Sequence, residues 1–68
     1  MQNWKLLYAA QTLPEANIVK GMLEENEVPV ILMNKQDSSY LNFGLIEVYV
    51  PFHLVPLAGQ LLSKTLSN

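Results

Sequence analysis

The sequence predicts an α+β domain of element order β-α-β-β-α, with two helices on one face of a small antiparallel sheet. Three observations predict it. Ile46, Val48 and Val50 alternate with Glu47 and Tyr49, the period of a strand with one buried face. Ala16, Val19 and Leu23 recur at helical spacing behind Thr12-Leu13-Pro14-Glu15, the residues of a helix start. Pro29, Pro51 and the polar 34–44 stretch punctuate the chain where one element should give way to the next.

Trp4 to Ala10 is rich in leucine and aromatics and reads as strand one, with Trp4, Leu6 and Tyr8 alternating against Lys5, Leu7 and Ala9. Thr12 and Glu15 then make a capping box, the hydroxyl accepting from the Glu15 amide and the carboxylate reaching back to Thr12. Pro14 falls in the first turn, where a missing N–H costs nothing. Ile18 and Met22 flank the apolar stripe of helix one, and Asn26 is the expected left-handed terminator. Gly21 inside the helix costs about 1 kcal/mol relative to alanine, which close packing on the sheet is expected to offset.

Val28 to Met33 is a continuous apolar run read as strand two, its Pro29 favouring a strand start or a sheet edge. The 34–44 stretch, with Asn34, Lys35, Gln36, Asp37, Ser38, Ser39, Asn42 and Gly44, has the composition of a loop. Strand three follows and ends at Pro51. Val55, Ala58, Leu61, Leu62 and Leu66 predict a second helix on the same sheet, weakened by Pro56 and Gly59. There is no internal repeat and no linker, so residues 1–68 read as a single domain, ferredoxin-like with its final strand absent.

Composition narrows the function. A chain of 68 residues buries only about 60% of its unfolded surface, and scaffolds this small commonly lean on disulfides, a metal or self-association. With no cysteine and one histidine, His53, a disulfide framework, a thiolate zinc site and an imidazole-rich metal site are all excluded. Association remains. Only 15% of residues are charged, against about 25% in an average soluble domain, which leaves apolar surface for another chain to cover. Four lysines, no arginine and a net charge of −2 give no basic footprint for nucleic acid. No apolar run approaches the ~20 residues that span a bilayer, and Met1-Gln2-Asn3-Trp4-Lys5 does not lead into a signal core, so the expected location is cytoplasmic, without a membrane partner.

Several stretches carry a family resemblance: Trp4-Lys5, Glu15-Ala16, Ile18-Val19-Lys20-Gly21-Met22-Leu23-Glu24, Val28-Pro29-Val30, Glu47-Val48-Tyr49-Val50-Pro51, Ala58 and Leu61-Leu62. Together they resemble a bacterial family of signal-transducing proteins of unknown function, grouped with the ferredoxin-like, nitrogen-regulatory GlnB-like proteins. The resemblance covers nearly the whole chain and implies signalling. Members commonly carry a glycine where this chain has Glu27, and acidic residues where it has Phe52, His53 and Leu54. No residues here match a nucleotide site, so no cofactor is expected.

The chain reads as a non-enzymatic sensing or interaction module. The alternatives are a purely structural oligomerisation domain and a small-molecule enzyme using His53 with Asp37 or a tyrosine. His53 sits between Phe52 and Leu54 without an orienting carboxylate in sequence, which favours a surface histidine. Glu24, Glu25 and Glu27 lack the alternating oxygens of a calcium loop and read as a solvated face. The 34–44 stretch reads as a turn-rich hairpin loop whose Tyr40 and Phe43 tuck onto the sheet, with a contact site for a partner or ligand as the alternative. If Leu7, Val48 and Val50 face the helices, then Trp4, Leu6, Tyr8 and Tyr49 face the other way, where no further element is left to cover them; the alternative is a face that curls over itself or is partly covered by the 34–44 loop. A homo-oligomer through strand one or this open face is expected, with a different protein partner as a further possibility.

Overall fold

The computed structural model describes residues 3–35 and 45–66. The elements run β1 (Trp4–Ala10), α1 (Leu13–Glu25), β2 (Ile31–Asn34), β3 (Ile46–Pro51), a single 3-10 turn (Phe52–Leu54) and α2 (Val55–Leu66). The sheet is antiparallel with β3 in the centre, in the order β1-β3-β2. Both helices lie on one side of it. Val19 and Leu23 of α1, Val48 and Val50 of β3, Ala58 of α2 and Val28 share one buried cluster. Ala10, Ala16 and Ile46 form a second beside it.

β3 alternates as expected, with Ile46, Val48 and Val50 buried and Glu47, Tyr49 and Pro51 half-buried on the other side. Pro51 is the last residue of the strand rather than the residue after it. It is tolerated because the Phe52 amide donates to the Asn3 carbonyl at 2.7 Å, which makes the Trp4–Pro51 pair a non-hydrogen-bonded one. The missing N–H would point away from β1, past the start of β2 at Ile31.

α1 starts as its sequence predicts, with the Thr12 hydroxyl accepting from the Glu15 amide at 3.2 Å. The return bond goes one residue further back than expected, from the Gln11 amide to Glu15 Oε1 at 3.2 Å. At the other end the left-handed residue is not Asn26, whose φ is −101°, but Glu27, with φ of 64°. The Glu27 amide donates to Glu24 O and the Val28 amide to Leu23 O, both at 3.0 Å, the paired bonds of a Schellman motif. Val28 and Leu23 then pack in the same buried cluster. Asn26 closes the turn differently, its side-chain amide donating to Met22 O at 2.9 Å.

That ending shortens strand two. Val28 spends its amide on the helix and Pro29 has none, so pairing with β3 begins only at Ile31 and reaches Asn34. The Lys35 amide continues the hairpin to Leu45 O at 2.9 Å. Gly21 is also not where close packing was expected: it is exposed, and a Cβ there meets nothing within 4 Å. α2 is preceded by the 3-10 turn, which absorbs Phe52, His53 and Leu54 and lets Pro56 fall in the first helical turn. Leu54, Val55, Leu61 and Leu62 pack against the core, whereas Leu66 remains half exposed.

Candidate functional site: the open sheet face

Strand register decides which side chains reach the face away from the helices. Leu6 pairs with Tyr49 and Tyr8 with Val48, so β1 advances two residues while β3 advances one. Leu7 is the extra residue of a β-bulge. Before the bulge Trp4 and Leu6 face outward opposite Pro51 and Tyr49; after it Ala9 does, opposite Glu47. Leu7 and Tyr8 both pack on the helix side.

Tyr8 therefore does not belong to the open face, contrary to simple alternation. The bulge turns its ring onto both buried clusters, and its hydroxyl donates to the Glu15 carboxylate at the start of α1. That bond raises the Tyr8 pKa, with burial and the Glu15 charge adding to it. The same bond, with the Gln11 and Thr12 amides, lowers the Glu15 pKa, against a smaller opposing effect of burial. The pair ties β1 to α1.

β2 contributes the residues that sequence reading did not place. Ile31 pairs with Tyr49 and Met33 with Glu47, so both lie on the open face. The signal was hidden because Val28 to Met33 is apolar throughout and shows no alternation; only pairing with β3 tells the two sides apart. Leu6, Tyr49 and Ile31 thus form one transverse rung, Ala9, Glu47 and Met33 the next, and Trp4 with Pro51 the rung on the other side. Leu6 is 50% exposed and Ile31 36%.

The open face carries a carboxylate beside its apolar side chains. Its carboxylate, Glu47, accepts from the Tyr49 hydroxyl at 2.9 Å, and this bond leads the causes that raise the Tyr49 pKa, ahead of burial and the Glu47 charge. A carboxylate that accepts a hydrogen bond tolerates burial better than one that accepts none. Lys35 and Leu45 continue the same side of the hairpin at its end. Tyr40 and Phe43 lie outside the described residues, as does Asp37. His53 stands exposed in the 3-10 turn, between Phe52, 60% exposed, and Leu54. The Lys5 ammonium lies 5.9 Å from the Phe52 ring centroid. Glu24 pairs with Lys20 at 3.3 Å on the surface of α1, and no cluster of metal-binding side chains occurs among the described residues. Among them, too, no helix is long and apolar enough to cross a membrane.

Residues 4–63 match the model of a family described as "Putative prokaryotic signal transducing protein". Neither a curated protein nor a solved structure matches the chain.

Proposed function

We propose that this chain, which belongs to that family of prokaryotic signal transducing proteins, works as a non-enzymatic interaction module in the cytosol, receiving a protein partner on its open sheet face. One observation carries the reading. Trp4, Leu6, Tyr49, Ile31 and Met33 lie side by side on a face that neither helix covers. A contiguous row of large apolar and aromatic side chains is the usual mark of an interaction site, and aromatics are its usual anchors.

The test is affinity capture from the cytosol of the native cell with three baits. Trp4→Ala plus Tyr49→Ala is expected to lose proteins that the wild type retains. Ile18→Ala, which alters a 64% exposed side chain on α1, is expected to keep them. Identical capture by all three baits would overturn the reading.

A further inference from the structure

We propose that the partner of the open face is an amphipathic helix that lays an arginine on the Glu47–Tyr49 pair. The proposal rests on the reading of that face as an interaction surface and names its occupant by chemistry. Charge carries it. Glu47 is half-buried in the central strand, in one rung with Ala9 and Met33, and the next rung is Leu6, Tyr49 and Ile31. Among the described residues no lysine pairs with Glu47; the ion pair there is Lys20 with Glu24, on α1. A partner that covers the face takes this carboxylate out of water. A wholly apolar cover leaves it charged and uncompensated, which is costly, whereas a cation at the same place offsets the lost hydration.

The pair also selects the kind of cation. The Tyr49 hydroxyl, donating at 2.9 Å, fills one of the roughly four lone-pair positions of the carboxylate and leaves the others to a second donor. The same bond holds the Tyr49 ring beside the carboxylate. A guanidinium suits both groups, with two parallel N–H donors for the carboxylate and a flat face for the ring. An ammonium is a point charge without that fork. This chain holds no arginine, so a second copy does not supply the group. Nucleic acid and anionic lipid would each bring negative charge to Glu47.

Dimensions select a helix as the carrier. Three strands ~4.8 Å apart make a face about 10 Å wide, the diameter of a single helix. Along the strands, four residues of a helix advance about 6 Å, close to the roughly 7 Å between rungs on one face. An arginine over Glu47 therefore sets the residue one turn away over the Leu6–Tyr49–Ile31 rung, where an apolar side chain fits. The recognised pattern is an arginine and an apolar residue four positions apart on one side of the partner helix.

The test is selection from a displayed library of helical peptides, randomised on one side, against the full chain as wild type, Glu47→Gln and Glu47→Lys. Glutamine removes the charge but keeps an acceptor for the Tyr49 hydroxyl. The wild type is expected to enrich arginine four positions from an apolar residue, and Glu47→Gln to keep the apolar residue without the arginine. Glu47→Lys is expected to enrich aspartate or glutamate in its place, a swap that a folding defect does not produce. With its arginine replaced by citrulline, the strongest wild-type peptide should bind wild type about tenfold more weakly and Glu47→Gln no differently. The same arginine content with wild type and Glu47→Gln, or lysine chosen as often as arginine, overturns the proposal. Peptides that lose binding to Trp4→Ala plus Tyr49→Ala yet carry no arginine overturn the arginine alone and leave the interaction reading standing. A wild type that selects no peptide dependent on Trp4 and Tyr49 counts against both.

Discussion

Glu27 holds the turn after α1 at φ 64°, a conformation that costs a residue with a Cβ about 1–2 kcal/mol. The Schellman bonds of Glu27 and Val28 and the burial of Val28 hold it there. Glu27→Gly is therefore expected to stabilise the domain by about 1 kcal/mol, worth about 4–8 °C in Tm at this size, as thermal melts would show. An unchanged or lower Tm would mean that the turn carries no such strain. The Tyr8–Glu15 pair makes a prediction in pH. Because the folded Glu15 carboxyl titrates below its ordinary value of 4.5, the unfolded chain binds more protons between the two pKa values. Its contribution is complete above the ordinary value and is lost as pH falls through the folded one. Tyr8 has the opposite sense: its raised pKa gives a contribution complete below 10.0 and lost as pH rises through the higher folded value. Tyr8→Phe keeps the ring and removes the bond, so urea midpoints from about pH 6 to about pH 3 should fall less steeply than in wild type. Equal slopes would discount the bond.

At the scale of elements, α1 shows how local rules and packing divide the work. Thr12, Pro14 and the buried Ala16, Val19 and Leu23 make it a helix by cap, first turn and stripe. Gly21 adds nothing to this, since a Cβ there would stand in open space. Gly21→Ala should therefore raise stability by about 1 kcal/mol through helix propensity alone, read as a higher urea midpoint with an unchanged slope. Destabilisation would reveal a close approach at this exposed turn. β2 was the least legible element. Its apolar run suggested a longer strand, but the residues before Ile31 are committed to ending α1. A helix's last hydrogen bonds thus set where a strand could begin.

At the scale of the whole molecule, the described chain is a slab 36 × 32 × 15 Å, with two adjoining buried clusters between helices and sheet. Among the described residues, both helices pack on the same side of the sheet and leave its other face open. The motifs of the sequence carried the family resemblance, and its local periodicity determined the element order, the N-cap of α1, most of the core residues and the side that faces away from the helices. Trp4, Leu6 and Tyr49 were legible as its members for the same reason. Tertiary structure decided the rest. The bulge at Leu7 moved Tyr8 to the core, and pairing with β3 brought Ile31 and Met33 to the open face. Register is a relation between strands, and a one-residue change in it reverses every side chain beyond. No single segment contains that information.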